Sequence, residues 1–169
     1  MRIWVISGML AIAYILQSTV LQYIEIWHVK PNLIIMMVIY FALLRGSIEG
    51  GVGGFIGGML MDIFGGKIFG VYALIAMYTG IGAGYFNKRF FKENYFVLIF
   101  FMVVFTFVHE LLLYFIYYFL WGQTHIVFAI RNIILPVSIY NGLLALPVFG
   151  IIFKVNHWLI EREKMLRKY

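Results

Sequence analysis

The sequence contains no cysteine, only three prolines, and just 12% charged residues. The missing cysteines exclude disulfide frameworks, thiol catalysis and cysteine-based metal sites, and they suit either redox side of a membrane. The scarcity of charge decides more. Soluble globular chains are about 25% charged and about 45–50% apolar, whereas this one is 64% hydrophobic and 20% aromatic. A soluble domain of 169 residues could not hide that much apolar surface, so the chain must be solvated by lipid over most of its length. Its net charge of +6 lies between apolar runs, not over a polar domain. That is the pattern of membrane topology and argues against a nucleic-acid partner.

A helix needs about 20 apolar residues to cross a hydrocarbon core of about 30 Å. Six segments approach that length: 3–22, 31–45, 47–64, 68–87, 95–120 and 133–153. The first contains an Ala11-Ile12-Ala13 triplet that imitates a signal-peptidase site, but the apolar run continues through Leu16, so an uncleaved span is expected. The second is short, since fifteen residues at ~1.5 Å each reach only ~22 Å. Snorkelling of Arg45 to the interface would lengthen it, and Pro31 suits a first helical turn. In the last span Pro136 is expected in the first turn and Pro147 at a kink.

Ten basic residues (Arg2, Arg45, Lys88, Arg89, Lys92, Lys154, Arg162, Lys164, Arg167 and Lys168) fall on one side of a six-span arrangement, against Lys30, Lys67 and Arg131 on the other. The positive-inside rule then places both termini in the cytoplasm. The expected fold is an all-α, polytopic integral membrane protein. It comprises a six-helix bundle over residues 1–153 and a basic cytoplasmic tail over 154–169. In that tail Val155, Trp158, Leu159, Met165 and Leu166 share one helical face, which would lie at the headgroups, pack on a cytoplasmic partner or simply be solvated. The loops have no room for a soluble domain, so function must reside in the bundle or at its rims.

Residues 46–66 contain nine glycines. They form no phosphate loop: Gly66-Lys67-Ile68 lacks the hydroxyl of a Walker motif, and the sixth position counted from Gly51 is Ile56 where a dinucleotide fingerprint needs glycine. Instead Gly46, Gly50, Gly54 and Gly58 recur every four residues, with Gly53 and Gly57 beside them. In lipid, small residues at that spacing let two backbones approach closely. Spans three and four pack on one another, or one of them receives a helix from another protein. The weaker series Gly70, Ala73, Ala76, Gly80 and Gly84 supports either arrangement. Asp62 continues the stripe and points toward protein. It is expected either to contact another helix, with Arg131 as the partner to test, or to be a partly hydrated interfacial acid.

The fifth span carries Thr106, His109, Glu110, Tyr114 and Tyr117 along one side, a polar stripe that should face inward. His109-Glu110 begins an H-E-x-x-H zinc motif, but residue 113 is leucine, so the metal site is incomplete. No G-x-S-x-G nucleophile and no second aspartate for an acid dyad is present. Catalytic, cofactor and metal sites are therefore not expected. Glu110, His109 and Asn141 are expected as buried polar groups, either bundle glue or the lining of a small-ligand or partner site, with Gln17, Ser18, Thr19 and Asn141 as candidate partners of Glu110.

Several short motifs in order resemble the MreD family of bacterial rod shape-determining membrane proteins. They are Gln17-Ser18-Thr19, Pro31-Asn32-Leu33, the series Gly51, Gly54, Phe55, Gly58 and Asp62, then Gly70 with Ala73 and Leu74, and Tyr140-Asn141 ahead of Pro147. The resemblance implies a non-enzymatic adaptor of the cell-elongation machinery in the bacterial cytoplasmic membrane. Such an adaptor would contact a bitopic MreC-like protein and help couple MreB-like filaments to a RodA-like glycosyltransferase and its transpeptidase. It also implies a six-helix fold similar to the substrate-binding subunits of energy-coupling-factor transporters. The alternative function is accordingly a binding subunit for vitamin or small-molecule uptake.

Overall fold

A computed structural model describes residues 2–20, 23, 29–65, 68–86, 95–122 and 126–166. The expectations on Lys67, on Lys88, Arg89 and Lys92, and on the side chains of Arg2, Lys164, Met165, Leu166, Arg167 and Lys168 fall outside what is described. Helices run in the order α1 (Arg2–Thr19), α2 (Leu33–Arg45), α3 (Ser47–Gly65), α4 (Val71–Tyr85), α5 (Tyr95–Trp121), the short α6 (Ile126–Ala129), a π-helical turn (Ile130–Ile134) and α7 (Leu135–Leu166). No strand occurs among the described residues.

Two stretches are long and apolar enough to cross a membrane, Tyr95–Tyr117 and Ile126–Leu159. Their outward residues fit lipid: Phe96 is 83% exposed, Val127 76% and Leu143 72%, a density of bare large side chains that water would not tolerate. The last span starts earlier than expected. Pro136 therefore lies inside a continuous helical run and not in a first turn, and the π turn directly before it accommodates a residue with no N–H to give. The run also passes through Pro147 and past residue 153 to Leu166 without a break.

The short α2 is the centre of the bundle. All ten residues from Ile34 to Leu43 are buried, none more than 7% exposed, so this helix is surrounded by protein on every side. That is why thirteen residues suffice: a helix that never meets lipid need not match the bilayer thickness. Its buried Tyr40 donates its hydroxyl to the Ala145 carbonyl of α7, as an interior O–H must. At its far end Arg45 does not snorkel outward. Its Nε donates to Asn156 Oδ1 at 2.6 Å and its guanidinium also meets Glu49 Oε2 at 3.1 Å, tying the end of α2 to α3 and α7. Beyond it Leu159 is buried, while Trp158 is exposed beneath the Arg162 guanidinium.

The most extensive helix-to-helix contact joins α3 to α4. A Cβ built at Gly54 would stand 2.6 Å from the Ala76 carbonyl carbon, one at Gly58 2.5 Å from Ala73 Cα, and one at Gly50 2.6 Å from the Gly80 carbonyl oxygen. Backbone touches backbone here, so the slot cut by the glycine stripe is filled by α4 of the same chain. The offset Gly57 meets Ile34 of α2, with a Cβ position 2.7 Å from its Cγ2. Gly46 is not on the helical stripe. It lies between α2 and α3 with φ +101°, a conformation L side chains rarely adopt, and its backbone receives Gly84 of α4.

Replacing Gly54 or Gly58 by alanine is expected to lower stability by roughly 1–3 kcal/mol, since the added methyl overpacks a seam with no flexible side chain to yield. Gly8→Ala, on a helical position of α1 with nothing within 4 Å, is expected to be neutral or slightly stabilising. Thermal unfolding of the variants in one detergent checks both, and equal midpoints for all three would contradict the seam.

Candidate functional site

The first-turn amides of α2 and α4 have no acceptor within their own helices, and in a membrane protein side chains have to supply one. At α2 three side chains provide the acceptors. Asn32 is the N-cap, and its Oδ1 accepts from Ile35 N at 3.2 Å. Gln17 Oε1 of α1 accepts from Ile34 N at 3.3 Å. Asn141 Oδ1 of α7 accepts from Asn32 N at 3.0 Å, and the Asn141 amide donates onward to Thr106 Oγ1 of α5 at 3.4 Å. One helix start thus gathers α1, α5 and α7.

At α4 the same task falls to Asp62 from the last turns of α3. Its carboxylate accepts from Tyr72 N at 3.2 Å and from Ala73 N at 2.9 Å, and the residue is 5% exposed. A negative group at a helix N-terminus also complements the helix dipole. Arg131 is not its partner: it sits exposed on the π turn. Ala73 is thus held twice, by Asp62 at its amide and by Gly58 against its Cα, so the acid closes the glycine seam.

The polar stripe of α5 is buried only in part: Glu110, Tyr114 and Tyr117 are half-buried. Thr106 and His109 are fully buried. Thr79 of α4 donates its hydroxyl to the Ile75 carbonyl at 2.8 Å and lies 3.3 Å from His109 Nδ1. With the threonine proton already used, the imidazole must donate from Nδ1, which leaves Nε2 a bare acceptor. That nitrogen is buried and has no hydrogen-bond partner among the described residues. Glu110 Oε1 receives the Asn32 side-chain amide at 3.5 Å. Of the partners expected for Glu110, Gln17 goes to the α2 amides, while Ser18 and Thr19 both donate to the Ile15 carbonyl of their own helix. Asn32 was singled out in the sequence only within the Pro31-Asn32-Leu33 motif. An asparagine just before an apolar helix is an N-cap signature that could have marked it.

Asn32, Glu110, Gln17 and Tyr72 border a cavity of about 580 Å³ at this end of the bundle. Among the described residues no group of three His, Asp or Glu stands close enough to hold a metal ion. Gln17, Asn32, Asp62 and Asn141 do here what polar groups do in a helical membrane protein, which is to satisfy backbone amides.

The class defined by these features is an all-helical protein with two membrane-length helices, packed around a buried central helix. A family model described as rod shape-determining protein MreD matches residues 1–157, and the chain belongs to that family, a family of membrane proteins involved in rod shape determination. No curated protein and no solved structure matches the chain.

Asp62→Leu is expected to cost roughly 2–3 kcal/mol, because a buried and a part-buried amide lose their carboxylate acceptor, while Asp62→Asn, which keeps a carbonyl oxygen, is expected to cost less than half of that. Equal losses in thermal unfolding would mean that charge itself matters. Asn141→Leu, which strands the Asn32 amide, is expected to cost roughly 1–3 kcal/mol by the same measurement.

Proposed function

We propose that this chain is a non-enzymatic membrane adaptor of lateral wall synthesis in a rod-shaped bacterium. It crosses the cytoplasmic membrane six times with both termini inside, and it brings a bitopic MreC-like protein and MreB-like filaments together with a RodA-like glycosyltransferase and its transpeptidase. The observation that carries this reading is the family match over residues 1–157. The basic residues support the orientation, ten on the side of both termini against three on the other. The bundle supports the adaptor role physically. Gln17, Asn32, Asp62 and Asn141 are engaged in capping helices, and large apolar side chains line the outside, where another spanning helix or lipid can lie. Within this proposal residues 1–153 form the spanning domain and 154–169 the cytoplasmic tail, of which 154–166 lie on the last turns of α7.

On the outer side of the α3–α4 pair, Ile48, Val52, Phe55, Met77 and Ile81 border an apolar groove of about 410 Å³ that no described residue fills. The glycines that hold α3 to α4 thereby shape the surface a partner would meet. Uptake of a vitamin by a transporter subunit is not favoured by the family match.

Depletion of the protein is expected to round rod-shaped cells while vitamin uptake stays unchanged, and an affinity-tagged copy is expected to co-purify the MreC-like protein. Cells that remain rods, or that lose uptake and keep their shape, would refute the adaptor reading.

A further inference from the structure

A polar cavity lies at the starts of α2 and α4, beside Asn32 and Tyr72. Its polar walls come from Gln17 and Ser18 of α1, Lys30 and Asn32 before α2, and Glu110 of α5. A second hollow of about 290 Å³ lies between α1 and α7 and is lined by apolar side chains only: Met9, Ala13 and Leu16 on one wall, Val148 and Ile152 on the other, with Leu33 and Met37 of α2 as its floor. Helix α1 packs chiefly on α3 and α2, which leaves that side toward α7 open.

We propose that the two hollows together hold one amphiphile, a membrane lipid whose small headgroup carries a primary ammonium. The ammonium sits on Glu110 and an acyl chain runs in the groove between α1 and α7. Consecutive residues serve both hollows: Gln17 borders the polar one and Leu16 the apolar one, and Asn32 and Leu33 divide in the same way. Along α7 the two are marked by Val137 and Val148, eleven residues apart, about 16 Å of helix. That is close to the depth of one leaflet, half of a core of about 30 Å.

The headgroup follows from the charges. Glu110 has the Asn32 amide as its hydrogen-bond donor among the described residues, at the 3.5 Å limit of such a bond. A carboxyl group at membrane depth calls for more than one long contact. A primary ammonium brings three N–H donors and the opposite charge. A choline headgroup has no N–H to give, and a glycerol headgroup leaves a net negative phosphate facing a carboxylate. At about 580 Å³ the polar chamber is of a size that small-ligand sites have, roughly 300–1,000 Å³.

The test uses the full chain purified in detergent, with native mass spectrometry and thermal unfolding read after addition of phosphatidylethanolamine, phosphatidylcholine or phosphatidylglycerol of matched chains, and of water-soluble phosphoethanolamine. Phosphatidylethanolamine is expected to be retained about tenfold over the other two lipids, as one additional charge-assisted hydrogen bond would provide. Glu110→Gln is expected to abolish that preference, and Leu16→Trp, at a half-exposed position that spares the core, to lower retention of all three by filling the groove. Equal retention of the three lipids by the unmodified protein would overturn the proposal. So would stabilisation by phosphoethanolamine equal to that by the lipid, which would make the site one for a soluble ligand. Should Glu110→Gln fail to fold, the headgroup series and Leu16→Trp still decide the question.

Discussion

Backbone amides in the first turn of a membrane helix have no acceptor within that helix, and in two helices of this chain side chains of other segments supply one. The amides of α2 are met by Gln17, Asn32 and Asn141, and those of α4 by Asp62. Because the acceptors come from α1, α3 and α7, with Asn141 bonded onward to α5, each start draws neighbouring helices to a fixed depth and rotation. Apolar packing alone would leave sliding and rotation of the helices weakly specified, since in a membrane one apolar face serves nearly as well as another.

The same constraint shapes the rest of the bundle. A helix short enough to start inside can be enclosed entirely, and α2 is, so its ten central residues form the core against which the others pack. Close approach of α4 to α3 then requires the glycine seam, because the acid at Asp62 can reach the Tyr72 and Ala73 amides only if the two backbones are in contact nearby. The polar cavity lies beside these two helix starts, and Glu110 and Lys30 border it. Cap, seam and cavity are one arrangement seen from three sides. The motifs that resemble the MreD family lie largely within it: Gln17, Asn32, Gly58, Asp62, Ala73 and Asn141 lie at these two helix starts, and Gly54 packs a turn further along α4.

How much of this could be read beforehand differs by residue. The glycine spacing in 46–66 pointed to a helix face and not to a loop, because a period of four carries geometric information without any partner being known. Asp62 could be placed on that face by the same period, but its partner could not: a backbone amide has no signature in a sequence, whereas Arg131 carries an obvious charge. Asn32 was passed over as a site residue for the converse reason. Its importance comes from the depth at which α2 starts, and depth is a property of the assembled bundle. The doubtful length of span two had the same source, since a segment of thirteen helical residues looks too short only until it is known to have no lipid around it.

Composition, hydropathy and charge placement thus determined the helical class and the lipid-facing character of this protein, since apolar surface on that scale has one solvent available to it. The spacing of glycine and of the polar residues of α5 determined which helix faces turn inward, because helical periodicity is local. Which helix fills the glycine slot, which acceptor meets which amide, and where a cavity remains were decided by tertiary structure alone. Those outcomes depend on the relative depth of helices distant in sequence, and no short stretch of chain encodes the depth of its neighbours.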